Sequence, residues 1–216
     1  MKQLALDIGL ASGPTLARFF AGPNEAALQH LRLWAGEGSQ PDTRSPVPTY
    51  LWGEAGSGKT HLLKAVRQAL SDQGASVGWL DASVASAAEF DERWAAVVLD
   101  DVHLYSTAQQ AMAFNWFVNA ISPANGAPRW VLAAGNLPPA DLPLRDDLRS
   151  RLGWGHVFQL QLLGEAERRA VLRQEADARG VFLGDEVMDY MLNRFSRDLG
   201  SLMHLLDQLD AFALRT

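Results

Sequence analysis

Apolar and polar residues follow each other in blocks along the chain, and the spacing within each block predicts its secondary structure. Five short apolar runs are typical of strands that are buried in a sheet. They are residues 48–53, 76–81, 95–100, 129–135 and 156–162. The stretches before and between them predict helices. These are residues 24–35, 58–74, 84–94, 106–122 and 144–152, with Asn24 and either Ser106 or Thr107 as caps. The alternation predicts an α/β fold, with a five-stranded parallel sheet covered by helices on both faces.

After residue 163 the strand-like runs stop, and only helical patterns follow. They are residues 165–180, 184–196 and 197–215. This change predicts a small all-helical domain, with its boundary at Leu163–Gly164. The predicted organisation is a tail at 1–13, an α/β domain at 14–163 and a helical lid domain at 164–216.

The first residues show a different pattern, in which Leu4, Leu6 and Ile8 alternate with small or charged residues. A period of two is typical of a half-buried strand. The following stretch, residues 9–15, is rich in glycine and offers no hairpin partner. Two interpretations stay open: an edge strand of the chain's own sheet, or a peptide that binds in a groove of another protein.

Composition narrows the class of protein. The chain has 48% apolar and 20% charged residues, which is typical of a globular protein. It has no cysteine, which excludes disulfides and thiolate metal sites and favours a reducing compartment. No apolar stretch is long enough for a membrane span, and Asp7 interrupts any signal peptide, so we expect the cytoplasm. The net charge of −6 argues against nucleic-acid binding as the main activity.

The stretch GEAGSGKT at residues 53–60 matches the pattern G-x-x-x-x-G-K-[ST], with a predicted strand before it and a helix after it. Its glycines allow a tight turn that brings backbone N–H groups against phosphate oxygens. Lys59 supplies a cation for the β- and γ-phosphates, and the Thr60 hydroxyl ligates Mg²⁺. The motif predicts a site for ATP or ADP with Mg²⁺. Its candidate nucleotide-binding residues are Gly53, Gly56, Ser57, Gly58, Lys59, Thr60 and His61.

Two further strand ends carry polar side chains. VVLDD at 97–101 ends in an acid pair, and in a P-loop fold we expect this strand beside the phosphate-loop strand. Asp100 is a candidate Mg²⁺ ligand together with Thr60, and Asp101 is a candidate to orient the attacking water or accept its proton. Asn136 ends the next strand and could approach the same water, because ligands of parallel sheets lie at the carboxyl ends of strands. The alternative is an asparagine that only turns the loop.

These parts, followed by LRSRLGWG at 148–155 and the helical lid, resemble the AAA+ ATPases and, within them, the DnaA clade of replication initiators. The resemblance extends from about residue 14 to the end of the chain. It implies that Arg151 is an arginine finger that points at nucleotide on a neighbouring subunit, where a cation in trans stabilises phosphoryl transfer. It also implies that Phe19 and Phe20 lie close to the adenine base.

The chain has no segment for the helix-turn-helix domain of an initiator, and this architecture is similar to the Hda family of DnaA-homologous regulators. In that family a hexapeptide Q-L-x-L-x-L/F docks into the DNA polymerase III sliding clamp, the beta subunit. QLALDI resembles it, with candidate contacts at Gln3, Leu4, Leu6 and Ile8. The resemblance implies a regulator on the DNA-loaded clamp that promotes hydrolysis of DnaA-bound ATP and so inhibits initiation, with DNA contacted only indirectly. Gly200 stands at the clade's sensor-2 arginine position, which leaves the chain's own ATP hydrolysis open.

Two other functions stay open at this point. One is an AAA+ helicase loader, for which the short tail leaves little room for a helicase-binding segment. The other is a DnaA-like initiator core that binds DNA, which the acidic balance disfavours. Binding to the sliding clamp separates both from the Hda reading. Self-association is a further question that the sequence does not decide.

Overall fold

Five parallel strands form the central sheet of the computed structural model, in which residues 13–36, 47–84, 89–124, 126–194 and 199–213 are described. The strands are β1 (Thr49–Trp52), β2 (Ser76–Leu80), β3 (Trp94–Leu99), β4 (Trp130–Gly135) and β5 (His156–Gln159). Their order across the sheet is β2-β3-β4-β1-β5, and every neighbouring pair is parallel. The predicted α/β fold with a five-stranded parallel sheet is confirmed.

The position of β3 differs from the expectation. We expected the strand that ends in Asp100 to lie beside the phosphate-loop strand, and this is wrong, because β4 lies between β3 and β1. All six residues of β4 are buried, which suits the central place in the sheet. β3 is also a nearly continuous apolar run, so the sequence pattern does not tell which of the two strands is central.

Helices cover both faces of the sheet, as predicted. They are α1 (Glu25–Ala35), α2 (Lys59–Asp72), α3 (Thr107–Ile121), α4 (Asp146–Leu152), α5 (Glu165–Ala178), α6 (Asp185–Arg194) and α7 (Leu199–Ala213). One buried cluster joins α1 and α2 to Val98 and Leu132, and another joins α3 and α4 to Val97 and Val131. Consecutive strand residues therefore point to opposite faces, which gives the sheet two cores.

The helix starts are set by local hydrogen bonds. Ser106, one of the two expected caps, accepts a hydrogen bond from the backbone N–H of Gln109, whose side chain accepts one from the backbone N–H of Ser106. Asn24 precedes α1 but its side chain does not cap the helix. It donates to the carbonyl of Gln161 and accepts from the N–H of Gln161, and so ties the start of α1 to the chain after β5.

The helix expected over 84–94 is wrong for the residues that the structure describes there. Val84 and residues 89–93 are not helical, and Trp94 already belongs to β3. The carboxylate of Asp91 accepts hydrogen bonds from the backbone N–H and the guanidinium of Arg93. Such a local side-chain turn competes with helix formation.

The C-terminal helices α5, α6 and α7 share a separate apolar core, which includes Leu172, Met188, Leu202 and Leu206. Their bounds agree with the three helices predicted after residue 163. The domain division at Leu163–Gly164 stays a prediction. Within the described ranges, no helix is both long and apolar enough to cross a membrane.

Candidate functional site

The loop between β1 and α2 is held in a conformation that only glycine adopts easily. Gly56 and Gly58 have φ angles of 84° and 93°. At Gly53 an added Cβ would lie 2.2 Å from the carbonyl oxygen of Leu160, so the loop passes too close to the end of β5 for a side chain. The backbone of residues 53–58 therefore curls tightly over the start of α2.

The segment before α1 packs against this loop. A Cβ on Gly58 would lie 2.7 Å from Cε2 of Phe19. The Phe19 ring also lies beside His61 in the first turn of α2, with 5.6 Å between the ring centroids. Phe19 is thus placed next to the loop that the sequence motif identified.

Lys59 begins α2, and its ammonium group folds back over the loop. Its Nζ atom donates hydrogen bonds to the carbonyls of Gly53 and Glu54, at 2.8 and 2.9 Å. Burial lowers the pKa of Lys59 from its ordinary value, while the charges of Asp101 and Asp100 act in the opposite direction. The cation is therefore held at the loop, within reach of the field of the two acids.

The acid pair follows β3 and approaches α2. Asp100 is 3% exposed and shares a side-chain hydrogen bond with Thr60. Burial raises the pKa of Asp100, and the charge of Asp101 adds to this, while the hydrogen bond from Thr60 lowers it. The two oxygen side chains proposed as Mg²⁺ ligands are brought together.

Asp101 has an unusual backbone. With φ 49° and ψ 43°, it is the one non-glycine residue with positive φ in the described parts of the chain. Its N–H donates to Oδ1 of Asp100 at 3.0 Å. Left-handed backbone at a non-glycine residue is strained and collects at functional sites. Here it turns the second acid toward the cavity described below.

Asn136 follows β4, so it lies at the same edge of the sheet as the loop and the acid pair, and its side chain is exposed. The hydroxyl of Tyr50 in β1 donates to the carbonyl of Leu137 at 2.8 Å. A Cβ on Gly135 would lie 2.3 Å from that hydroxyl oxygen. Tyr50, which the sequence analysis did not single out, therefore braces the turn that carries Asn136.

A cavity of about 650 Å³ lies between the loop, the segment around Phe19 and Phe20, and the lid helices α5 and α7. Lys59, Thr60, His61 and Asp101 line it on the side of the sheet, and Gly200 lines it on the lid side. The volume is in the range of small-molecule and cofactor sites. Among the described residues that line it, neither Asn136 nor Arg151 is present.

Two buried polar atoms near the loop lack partners. The Oγ atom of Ser57 and the Nε2 atom of His61 make no hydrogen bond to any described residue. Burial lowers the pKa of His61. Buried polar groups in proteins are normally paired, so orphaned atoms beside a cavity point to a ligand that supplies the partner.

A chain of ion pairs, which the sequence analysis missed, closes one wall of the cavity. Arg18 donates to Glu175 of α5 at 2.8 Å, Arg179 donates to the same carboxylate at 2.6 Å, and Arg179 also pairs with Asp207 of α7 at 2.9 Å. Arg18 and Glu175 are 157 positions apart. The available signal was Glu175 itself, an acid on the buried stripe of α5 between Val171 and Arg179.

Arg151 lies in the last turn of α4, outside the cavity. Its Nη1 atom donates to the carbonyl of Asp147 at 2.8 Å. Its Cζ atom lies 4.6 Å from the ring centroid of Phe114 and 5.1 Å from that of Trp154. The neighbouring Arg149 instead pairs with Asp146 at 2.6 Å.

The remaining candidates, Gln3, Leu4, Leu6 and Ile8, lie outside the described residues. Their interpretation therefore rests on the sequence pattern.

Comparison with known proteins gives matches over the whole chain and over the lid. A family model described as "Hda, lid domain" matches residues 165–216. An uncharacterized protein of Haemophilus influenzae is 32% identical over 223 residues, which covers 99% of this chain and 92% of that protein.

Two solved structures have the same fold. Replication initiator DnaA bound to AMPPCP and single-stranded DNA matches with a TM-score of 0.68 and 21% identity, over 91% of this chain and 64% of that one. The chain therefore spans slightly less than two thirds of that DnaA chain. Domain III of Thermotoga maritima DnaA matches with a TM-score of 0.70 and 18% identity, over 98% of this chain and 90% of that one.

The family resemblance that was drawn from the phosphate loop, the acid pair and LRSRLGWG is confirmed. The chain belongs to one family with the Haemophilus protein, and it is an Hda/DnaA-like AAA+ protein.

Proposed function

We propose that the cavity binds ATP or ADP, with the phosphates on the loop at 53–60 and the base toward Phe19. The N-terminus of α2, the curled glycine backbone and Lys59 favour a polyphosphate. A bound nucleotide also gives the orphaned Ser57 and His61 atoms a partner. DnaA structures of the same fold were solved with AMPPCP, which supports this assignment.

The donors at the loop fit Mg²⁺. Thr60 and Asp100 offer a hydroxyl and a carboxylate, and Mg²⁺ is usually held by one or two such protein groups plus phosphate oxygens and water. Bound there, the ion would offset the charge of the β- and γ-phosphates. Asp101 and Asn136 would orient the water for the chain's own hydrolysis. Because the side chain at Gly200 brings no cation, the chain's own nucleotide serves more to organise the cleft than as a substrate.

At the level of biological role, we propose a DnaA-related regulator of chromosome replication that acts in the cytoplasm. Residues 3–8 would dock on the DNA-loaded sliding clamp, and Arg151 would reach ATP bound to DnaA. The observation that carries this proposal is the place of Arg151, outside the chain's own cavity and without an ion pair to any described residue. A finger that acts in trans needs both properties, since its charge must be free to stabilise a partner's phosphoryl transfer.

The test is hydrolysis of ATP bound to DnaA, in the presence of DNA-loaded clamp and this protein. Wild type accelerates hydrolysis, and Arg151→Ala loses about 10³-fold or more of that acceleration, the usual range for a finger. Arg149→Ala is the matched control, because Arg149 is paired with Asp146 on the same helix, and it retains the acceleration. If Arg151→Ala accelerates as wild type does, the finger assignment is refuted.

The tether is tested separately. Gln3→Ala combined with Leu6→Ala should abolish binding to the clamp and leave nucleotide binding intact. Unchanged clamp binding would remove the support for an Hda-type role and favour the helicase loader or the initiator core instead.

A further inference from the structure

Arg151 belongs to a compact set of charged and aromatic side chains, here called the α4 cluster: Phe114, Arg145, Asp147, Arg151 and Trp154. Phe114 comes from α3, which packs on the sheet, and the other members come from α4 and the turn that follows it. The Phe114 ring lies near both guanidinium groups, with its centroid 4.9 Å from Cζ of Arg145 and 4.6 Å from Cζ of Arg151.

Asp147 treats the two arginines differently. Its carboxylate binds Arg145 through two hydrogen bonds of 2.6 Å, and these lower the pKa of Asp147. Its carbonyl oxygen accepts the 2.8 Å hydrogen bond from Arg151. The charge of Arg145 is therefore matched within the cluster, while Arg151 is held by a neutral acceptor and two aromatic rings.

We propose that Phe114 and Trp154 are positioning residues for Arg151: they hold its guanidinium in a fixed direction without neutralising its charge. This rests on the proposed role of Arg151 as a finger in trans.

The physical reason lies in the kind of contact. A carboxylate would fix the arginine equally well but would compete with the partner's phosphate for the same charge. An aromatic face attracts a guanidinium more weakly, and the contact costs little to share when an anion approaches. Phe114 is half-buried and anchored in α3, whereas Trp154 is 63% exposed and extends the holding surface to the outside. The arginine is thus ordered before a partner arrives, which lowers the entropy cost of forming the transition-state contact.

The first experiment compares Phe114→Leu with Phe114→Tyr in the DnaA-bound ATP assay. Leu keeps an apolar side chain of similar size but has no ring face, whereas Tyr keeps the face. We expect Phe114→Leu to lower the maximal stimulated rate about threefold to tenfold, since cation–π contacts are of this size. The concentration of protein that gives half-maximal stimulation should stay near the wild-type value, and Phe114→Tyr should restore the rate.

The second experiment uses the full chain alone, so it does not depend on any partner. In wild type, the Arg151 side-chain protons lie near two rings and should show upfield ring-current shifts by NMR, with Arg151→Lys identifying the signals. Phe114→Tyr should keep these shifts, and Phe114→Leu and Trp154→Leu should each move them toward ordinary arginine values. Urea unfolding of each variant shows whether stability has changed.

The outcomes separate this proposal from the finger itself. If Arg151→Ala stimulates as wild type does, the finger fails, whatever the NMR shows. If Arg151→Ala is inactive but the Leu and Tyr variants of Phe114 stimulate equally, the positioning role is refuted. It is also refuted if the Arg151 protons show no ring-current shift in wild type, or if the loss in Phe114→Leu follows only a loss of folding stability.

Discussion

The hydroxyl of Thr60 and the carboxylate of Asp100 are hydrogen-bonded to each other, although β4 lies between the strands that lead to them. Asp100 is almost completely buried, and its partner sits in the first turn of α2 directly after Lys59. The pair therefore forms a fixed set of oxygen donors beside the phosphate loop, and this is the basis for assigning Mg²⁺ to it.

We expect Thr60→Val to weaken Mg²⁺-dependent nucleotide binding by about 10-fold to 100-fold, the usual cost of disturbing a metal site. The change keeps the branched shape but removes the hydroxyl. Titration with fluorescent ADP, with and without Mg²⁺, measures it, and Thr60→Ser serves as the control that keeps the hydroxyl. An affinity that still rises with Mg²⁺ in Thr60→Val would show that the hydroxyl is not a ligand.

Alanine at Gly58 should cost more stability than alanine at Gly74. Both glycines have left-handed backbone, with φ 93° and 80°, so each substitution should cost about 1–2 kcal/mol of strain. A Cβ at Gly58 also meets Phe19 at 2.7 Å, whereas nothing lies within 4 Å of one at Gly74. Urea unfolding gives both values, and adding Phe19→Ala to Gly58→Ala should recover the excess. Equal losses at the two positions would show that Phe19 does not pack there.

Stability should fall in acid because of Glu175. Burial by itself raises the pKa of Glu175, but hydrogen bonds from Arg179 and Arg18 outweigh it and hold the pKa below its ordinary value of 4.5. A carboxyl group with a lowered folded-state pKa stabilises the fold above its unfolded-state pKa, and this contribution is lost as the pH falls through the folded-state value. The free energy of unfolding should therefore decline below about pH 5.

In Glu175→Gln this acid decline should be shallower, and stability at neutral pH should be lower than in wild type. Urea unfolding over a series of pH values measures both effects, and Glu186→Gln, at an exposed position of α6, is the control substitution. Parallel pH profiles for wild type and Glu175→Gln would contradict the role of the Arg18–Glu175–Arg179 ion pairs.

Tyr50→Phe should destabilise the protein by about 1 kcal/mol, because the carbonyl of Leu137 loses its hydrogen bond from the tyrosine hydroxyl. Tyr190→Phe, at an exposed position of the lid, should leave the free energy of unfolding unchanged. If both substitutions have the same effect, the hydroxyl of Tyr50 does not brace the turn at Asn136.

The parts of the site that follow each other in sequence could be predicted. GEAGSGKT and the acid pair are local patterns, and the strand and helix around each of them were expected with nearly the observed bounds. The place of β4 could not be predicted, because two strands buried on both faces carry the same apolar pattern and either one can take the centre.

Contacts between distant residues were also missed, for a related reason. Arg18 and Glu175 meet across the cavity, and Tyr50 reaches the turn after β4, through packing that no local pattern encodes. Asn24 was interpreted as a cap because asparagine favours that position, but its amide found a stronger use in pairing with the backbone of Gln161. Tertiary contacts decided these side chains.

The central claim is that this chain binds one nucleotide in its own cavity and acts with Arg151 on another, bound to DnaA. The most direct test measures ADP affinity and stimulation of DnaA-bound ATP hydrolysis on the same two variants, Lys59→Ala and Arg151→Ala. We predict that Lys59→Ala loses ADP binding, and that Arg151→Ala binds ADP as wild type does but no longer stimulates hydrolysis. A loss of ADP binding in Arg151→Ala, or full stimulation by it, would contradict the account.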